Sequence, residues 1–280
     1  MKSFIFYSIV YFSCLSITLC SAKPKKAIVI GASSGMGKEV AKLLATDGYT
    51  VGLAARRLPL LQEVQQAITT KTYIKQIDAS KQDEATQKLE ELINDMGGLD
   101  LLVLSISGIK DIDLKNQDWK NRNWTLEKSI LDVDILGFYA LARTAINFFE
   151  KQGHGHFVGI SSIDALKGNG YCPVYSAAKA FCSRYMEGEH KRLIQTKIPI
   201  TITEIIPGFV NSKEVPNSSL TIPKHYWIES LQDAAQEIFL AIKNKERVAY
   251  ITKRWQQFAE KVKNMPDDFY NAFKWFFDCT

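Results

Sequence analysis

The sequence contains few residues that form disulfides or bind transition metals. Of its 280 residues, five are cysteine and four are histidine. Beyond residue 22 only Cys172, Cys182 and Cys279 remain, too few and too odd in number for a disulfide framework. His154 and His156 flank a glycine ahead of an apolar run, but no third metal ligand accompanies them. The pattern therefore predicts a polar turn there and no metal site.

The charge is mild and carries no sign of a nucleic-acid partner. A net charge of +5 arises from 35 Lys and Arg against 30 Asp and Glu. No basic platform interleaved with aromatic residues and no nucleic-acid motif is present. Internal repeats and low-complexity tracts are also missing. With 46% hydrophobic residues, a chain of 280 residues can bury a large core and suits one α/β domain.

An apolar segment without charge covers residues 4–20, with Lys2 ahead of it and Ala22 behind it. It is longer than a usual signal-peptide core and slightly shorter than a typical membrane-spanning helix. Three lysines at 23, 25 and 26 outnumber Lys2, and positive residues favour the cytoplasmic side. We therefore expect a membrane anchor with the following domain facing the cytoplasm. The alternative is export after cleavage of a signal peptide near Ala22.

Apolar runs of strand length alternate with helical stretches after this segment, at 26–30, 50–55, 72–77, 100–106, 155–161, 199–206 and 247–251. Such alternation predicts a parallel sheet of about seven strands with helices on both faces, a Rossmann-like doubly wound α/β fold. One long helix is expected from about residue 124 to 150. We assign the single domain to residues 23–255. The aromatic-rich tail, residues 256–280, is expected to be helical and either to lie in a membrane interface or to cover the core.

A glycine-rich turn follows the first predicted strand. Residues 26–30 lead into Gly31-Ala-Ser-Ser-Gly35-Met-Gly37, and an amphipathic helix continues through Leu44. A strand, a glycine turn and a helix N-terminus form a cradle for a diphosphate, because backbone amides point at the ligand and glycines permit a close approach. The spacing differs from the common Gly-x-Gly-x-x-Gly fingerprint.

Tyr175 and Lys179 are four residues apart on a predicted helix, with Ser162 thirteen positions upstream. Residues at this spacing share a helix face. A neighbouring ammonium favours the phenolate, so Lys179 is expected to lower the pKa of Tyr175. A phenol tuned in this way is a general acid/base for interconverting a carbonyl and an alcohol, and Ser162 could hold the substrate oxygen.

With these motifs, residues 25–255 resemble the short-chain dehydrogenase/reductase family in its single-domain branch. The resemblance implies that Ser162, Tyr175 and Lys179 are catalytic and that Lys179 also holds the nicotinamide ribose. It further implies dinucleotide contacts at Gly31, Ser33, Ser34, Gly35, Met36, Gly37, Asp78, Ser107, Gly108, Tyr175, Lys179, Pro207, Gly208, Val210 and Ser212.

Three positions depart from the usual pattern of that family. Ile30 replaces a threonine that braces the glycine turn, and Ser105 to Gly108 reads Ser-Ile-Ser-Gly where Asn-Asn-Ala-Gly is usual. Asp134 stands where a catalytic asparagine is usual. An ionised Asp134 would offset part of the pKa lowering on Tyr175; it could instead pair with Lys179 or be protonated. We expect activity to be retained but altered.

Two arginines indicate the choice of cofactor. The second strand ends in Arg56-Arg57, where an acidic residue would bind the ribose hydroxyls of NAD. Guanidinium groups suit a 2′-phosphate instead, so NADP(H) is expected and NAD(H) is disfavoured.

These features predict an NADP(H)-dependent oxidoreductase acting on a small-molecule carbonyl or alcohol, and an apolar substrate is our hypothesis. The alternative is a non-catalytic dinucleotide-binding regulator on the same fold. Residues 213–227 are expected to form the substrate lid. The family resemblance suggests a homodimer or homotetramer formed through helices at about 124–150 and 174–195.

Overall fold

The computed structural model describes residues 24–109, 124–168, 170, 172–211 and 228–267. Its strands are β1 Lys26–Ile30, β2 Thr50–Ala55, β3 Thr72–Gln76, β4 Leu101–Leu104, β5 Gly155–Ile160, β6 Ile200–Pro207, β7 Phe209–Asn211, β8 Ile228–Ser230 and β9 Val248–Ile251. The apolar segment at 4–20, Ser212, the expected lid at 213–227 and the tail from residue 268 lie outside the described residues. Among the described residues, no helix has the length and apolarity needed to cross a bilayer.

Seven of the strands form one parallel sheet in the order β3-β2-β1-β4-β5-β6-β9. The chain moves outward from β1 to β3, then returns to β4 on the other side of β1. Ligands of doubly wound sheets bind outside the carboxyl ends of the strands at such a reversal. The predicted fold class is confirmed. The predicted strand 100–106 is shorter in the structure, because residues 105–107 leave the sheet at this reversal.

Helices cover both faces of the sheet: α1 Gly35–Thr46, α2 Leu58–Gln66, α3 Gln82–Met96, α4 Trp124–Ile130, α5 Phe138–Gln152, α6 Pro173–Thr196, α7 Leu231–Asn244 and α8 Lys253–Lys263. Strand β1 shows how both faces are buried. Ile28 and Ile30 pack with α3, α5 and α6, whereas Ala27 and Val29 pack with α1, α2 and α7. A strand with two buried faces is apolar throughout, which is why the sequence pattern was continuous.

The helix expected at about 124–150 is not uniform. Between α4 and α5, Leu131–Gly137 forms a π-helical segment that contains Asp134. π-Helical turns inside α-helices are rare and frequent at functional sites. Gly137 is required on the packed side of this segment, since a Cβ there would lie 2.3 Å from the backbone oxygen of Ala79.

The C-terminal helix α8 packs onto the domain through Trp255, whose side chain is 1% exposed. The predicted domain boundary at residue 255 therefore falls within a helix that contacts the fold. The indole makes edge-on contacts with Phe209 and Phe258, with ring centroids 5.5 and 5.6 Å apart. It also fills the space beside Gly208, where a Cβ would lie 2.1 Å from the indole Nε1.

We predict that Gly208→Ala destabilises the fold, because the Trp255 ring is held by two aromatic neighbours and cannot move aside. Overpacking of this kind typically costs about 1–3 kcal/mol in the free energy of unfolding, measurable by urea denaturation. Gly188→Ala is the control: Gly188 lies in α6 with nothing within 4 Å of an added Cβ. There alanine should stabilise the helix by up to about 1 kcal/mol. Equal midpoints for the two variants would contradict the packing argument.

Candidate active site

The glycine loop forms one wall of a cleft at the carboxyl edge of the sheet. Gly31 has φ +95°, and a Cβ on it would lie 1.9 Å from the backbone oxygen of Ser105. Gly35 has a positive φ of 58°, and a Cβ on Gly37 would lie 2.5 Å from the oxygen of Gly31. Ser34, the N-cap residue of α1, makes no side-chain capping hydrogen bond. A helix N-terminus suits an anion, because its first backbone amides have no partner within the helix.

The end of β2 contributes a guanidinium to this wall. Arg57 Nη2 donates to Ser34 Oγ at 2.8 Å and to Ser33 Oγ at 3.2 Å, which brings three predicted site residues together. Arg56 is exposed, and its backbone oxygen accepts a hydrogen bond from Gln76 Nε2 at 2.9 Å. After β3, Asp78 Oδ1 accepts hydrogen bonds from the backbone N–H and the hydroxyl of Ser80, at 3.0 and 2.7 Å.

The turn after β4 is held by a hydrogen bond within itself and by one to the π-helical segment. Ser107 Oγ accepts a hydrogen bond from the N–H of Ile109 at 3.3 Å. Gly108 donates its N–H to Asp134 Oδ2 at 2.5 Å, and a Cβ on Gly108 would lie 2.6 Å from the oxygen of Ser129. The two serines at 105 and 107 thus occupy a turn that is held by the π-helical segment.

The opposite wall includes the turn after β6 and the first residues of β7. Pro207 ends β6, Gly208 follows, and Val210 lies in the middle of the short strand β7. Trp255 packs beneath Gly208, as described above. The structure thus brings this turn to the same edge of the sheet as the glycine loop.

Ser162, Tyr175 and Lys179 meet above the end of β5. Ser162 and Lys179 are 7% and 2% exposed. The side chains of Ser162 and Tyr175 share a hydrogen bond, and Lys179 Nζ lies 5.6 Å from the centroid of the Tyr175 ring. Ser162 is oriented by a 3-10 turn at Ile163–Ala165, since its Oγ accepts the N–H of Asp164 at 3.2 Å. The thirteen-residue spacing therefore produces the expected cluster.

Asp134 forms a buried ion pair with Lys179. The carboxylate Oδ1 lies 2.7 Å from Lys179 Nζ, and Asp134 is completely buried. Lys179 also donates to the backbone oxygen of Ile106 at 3.3 Å. Burial lowers the pKa of Lys179, but Asp134 and Tyr175 together raise it well above its usual range. The sequence left open whether Asp134 pairs with Lys179 or is protonated, and the structure shows the pairing.

The electrostatics of Tyr175 differ from the expectation. Burial, the largest effect, raises the pKa of Tyr175, and the net result is a pKa of about 12. Lys179 lowers this pKa as predicted and the hydrogen bond from Ser162 does so as well, whereas Asp164 and Asp134 raise it. The expected net lowering is therefore wrong for the protein alone. Burial and two carboxylates outweigh a single ammonium that is itself paired.

Two charged residues near Ser162 were not predicted from the sequence. Asp164 affects Tyr175 electrostatically, and Lys167 Nζ donates to the backbone oxygen of Met265 and to Asp267. Their position within five residues of Ser162 was the available signal. The histidine prediction holds only for His154. His156 lies in β5, buried, and its Nε2 is 2.8 Å from Thr203 Oγ1.

Comparison with known proteins places this geometry in a family. Residues 25–221 match the family described as short chain dehydrogenase. The chain belongs to this family. An uncharacterised oxidoreductase of Myxococcus xanthus (strain DK1622) is 32% identical to it over 203 residues, covering 71% of this chain and 77% of that protein. Another from Staphylococcus aureus (strain MRSA252) is 29% identical over 225 residues, covering 80% and 93%.

A solved structure agrees with the family in its fold. The crystal structure of an acetoin dehydrogenase from Salmonella typhimurium superposes with a TM-score of 0.65 at 24% identity, covering 81% of this chain and 93% of that one. Membership in the short-chain dehydrogenase family makes the chain an oxidoreductase that binds a nicotinamide dinucleotide. The glycine loop suits such a ligand, since the positive φ angles of Gly31 and Gly35 allow a tight turn that leads directly into the N-terminus of α1.

We predict that Asp134→Asn shifts the pH profile of this short-chain dehydrogenase to lower pH. Tyr175 faces Lys179 on its own helix, Asp134 on the π-helical segment, and Asp164 and Ser162 on the 3-10 turn. Removing one of the two carboxylates lowers the pKa of Tyr175. With Tyr175 in its expected role as general base for alcohol oxidation, the phenolate then persists to lower pH, so the acidic limb of kcat/KM should move down by about one unit, or ~1.4 kcal/mol.

Asp132→Asn is the matched control for that profile. Asp132 belongs to the same π-helical segment, but it is partly exposed and pairs with Lys128 Nζ at 2.5 Å. Its removal should leave the limb where it is. An unshifted or upward-shifted limb in Asp134→Asn would contradict the assigned effect of Asp134.

Proposed function

We propose that the chain is an NADP(H)-dependent oxidoreductase that interconverts a carbonyl and a secondary alcohol, with Tyr175 as general acid/base. The observation that carries the proposal is the joint contact of Tyr175 with the Ser162 hydroxyl and with the Lys179 ammonium. A hydroxyl, a phenol and a cation therefore lie beside one another at the carboxyl edge of the sheet. That arrangement suits proton transfer to or from an oxygen bound there.

In this proposal Ser162 donates a hydrogen bond to the substrate oxygen, while Tyr175 moves the proton at its phenolic oxygen. With a pKa of about 12, Tyr175 stays protonated at neutral pH. A protonated phenol can donate its proton to the alkoxide that develops as a carbonyl is reduced. The bound nicotinamide supplies the hydride chemistry. Lys179 limits the rise in the pKa of Tyr175, and Asp134 holds Lys179 in place.

The dinucleotide contacts are proposed for the residues that the family resemblance implies, together with Arg56 and Arg57. The glycine loop and the start of α1 would hold the diphosphate, Asp78 the adenine, and the turn after β6 the nicotinamide. Lys179 would also bind the nicotinamide ribose. The proposed set is Gly31, Ser33, Ser34, Gly35, Met36, Gly37, Arg56, Arg57, Asp78, Ser107, Gly108, Tyr175, Lys179, Pro207, Gly208, Val210 and Ser212.

The preference for NADP(H) is supported by the contacts of Arg57. Its guanidinium already bridges the hydroxyls of Ser33 and Ser34 at the mouth of the glycine loop. A phosphate bound between these groups would accept hydrogen bonds from a cation and from two hydroxyls. Charge-assisted hydrogen bonds are the stronger kind, and a guanidinium can bind a phosphate through two of them.

Assembly and location stay predictions. A homodimer or homotetramer formed through the helices at 124–150 and 174–195 is supported by apolar side chains exposed on them. Leu136, Tyr139 and Ile194 are 49%, 43% and 63% exposed. We also propose membrane attachment through residues 4–20 with the catalytic domain on the cytoplasmic side, export after cleavage being the alternative. An apolar small-molecule carbonyl is the proposed substrate.

We predict that Tyr175→Phe lowers kcat by about 10²–10⁴-fold in a screen of NADPH oxidation against a panel of aldehydes and ketones. The phenol carries the proton, so the ring alone cannot replace it. Affinity for NADPH, followed by quenching of protein fluorescence, should fall by far less than kcat, because the phenol is one of many proposed dinucleotide contacts but carries the proton alone.

Tyr185→Phe is the control for this substitution, since Tyr185 lies on the same helix but packs against Phe138, Tyr139 and Phe181. Its turnover should match the wild type. Wild-type protein that binds NADPH yet reduces no member of the panel would favour a dinucleotide-binding regulator. Unchanged turnover in Tyr175→Phe would refute the role given to Tyr175.

We predict that Arg57→Gln raises the KM for NADPH by about 10–100-fold, the equivalent of ~1.4–2.7 kcal/mol. The KM for NADH should change less than about threefold, because only the 2′-phosphate distinguishes the two cofactors. Arg143→Gln, which removes an exposed arginine on α5, should leave both constants unchanged. A similar loss for NADH and NADPH would argue against a phosphate site at Arg57.

A further inference from the structure

Helix α8 and the residues that follow it contact both the turn after β6 and the loop after Ser162. At its start, α8 supports the turn after β6 through Trp255, which packs beside Gly208. Past its end, residues 265–267 contact the loop that follows Ser162. A single C-terminal segment therefore joins the proposed nicotinamide side of the cleft to its proposed substrate side.

Lys167 makes the second of these contacts. Its Nζ donates to the backbone oxygen of Met265 at 2.6 Å and to Asp267 Oδ1 at 2.8 Å, across 98 and 100 residues of sequence. The Lys167 side chain is 20% exposed, whereas that of Asp267 is 88% exposed. The ammonium lowers the pKa of Asp267 through a hydrogen bond and charge. The pair alone is a surface ion pair of small value, but the bond to a backbone carbonyl fixes the position of the chain.

Hydrogen bonds hold the loop between Ser162 and Lys167. Asp164 donates its N–H to Ser162 Oγ at 3.2 Å, and Ala165 donates to the backbone oxygen of Ser162 at 3.0 Å. Leu166 donates to the oxygen of Ile163 at 3.1 Å. Lys167 follows directly. These three hydrogen bonds connect the residues between Ser162 and Lys167. A displacement of Lys167 would therefore also move the Ser162 hydroxyl.

We propose that Lys167 is a positioning residue, which fixes the Ser162 turn by tying it to the C-terminal segment and so sets the affinity for the carbonyl substrate. The proposal rests on the function proposed for Ser162. Loss of the tie frees the turn, and the Ser162 hydroxyl samples orientations that do not bind the substrate oxygen. The dinucleotide keeps its affinity, because none of its proposed contacts lies in the turn between Ser162 and Lys167.

The first test is hydrogen exchange of the full chain and needs no activity. In Lys167→Met, which keeps a long apolar stem but removes the charge, the amides of Asp164, Ala165 and Leu166 should exchange about tenfold faster than in the wild type. Lys263→Met is the matched control, since Lys263 is exposed at the end of α8. Its turn should exchange at the wild-type rate. Equal exchange of the turn in Lys167→Met and in the control would overturn the proposal.

The second test separates positioning from a merely structural role. With the best carbonyl of the panel, Lys167→Met should raise KM about tenfold while kcat falls less than threefold and NADPH affinity and melting temperature stay unchanged. Lys167→Arg, which restores the cation, should recover most of the affinity. A loss in melting temperature alone, or a Lys167→Arg variant as impaired as Lys167→Met, would refute the positioning role. Failure of the wild type to reduce any carbonyl would count against the proposed function. The hydrogen-exchange test would still decide whether Lys167 fixes the Ser162 turn.

Discussion

The buried ion pair between Asp134 and Lys179 is the interaction on which the candidate site depends. It joins the π-helical segment to α6, and through Gly108 and the oxygen of Ile106 it also holds the turn after β4. Burying two charges costs several kcal/mol per ion, which is recovered only where the geometry is good and the remaining polar atoms are bonded. Here Oδ2 accepts the N–H of Gly108, whereas Oδ1 faces the Lys179 ammonium at 2.7 Å without the geometry of a hydrogen bond, so charge attraction is its main compensation. An unpaired ammonium at this depth would be far more costly.

The same pair limits what Lys179 can do for Tyr175. A carboxylate 2.7 Å from the ammonium offsets much of the field that the phenol experiences. Burial then dominates, and the phenol stays protonated at neutral pH. A proton donor of this kind is matched to carbonyl reduction, whereas oxidation would need the phenolate. Asp134, which replaces the usual asparagine, thus affects both the position of Lys179 and the pKa of the proposed proton donor Tyr175.

The sheet, the glycine loop and the Ser162–Tyr175–Lys179 cluster were predictable because each follows from local sequence. Apolar runs such as 26–30 and 50–55 form strands buried on both faces, and helical spacing brings Tyr175 and Lys179 to one face. The π-helical segment was not predictable, since residues 131–137 have ordinary helical composition. The net pKa of Tyr175 was missed for a related reason. Its largest cause is burial, which is set by tertiary packing and has no signature in the spacing of residues.

The contacts between the Ser162 loop and residues 265–267 are the remaining feature that could not be predicted from the sequence. Lys167 and Asp267 are an unremarkable pair of surface charges until the fold places residues 265–267 beside the Ser162 turn. The sheet explains why such a tie is useful. Its strands hold the glycine loop and the turn after β6 firmly, but Ser162 lies one residue beyond the last bond of β5 to β6. A loop that leaves a sheet needs other contacts to hold it in place. In this chain α8 contacts the turn after β6, and the residues after α8 contact the loop that follows Ser162.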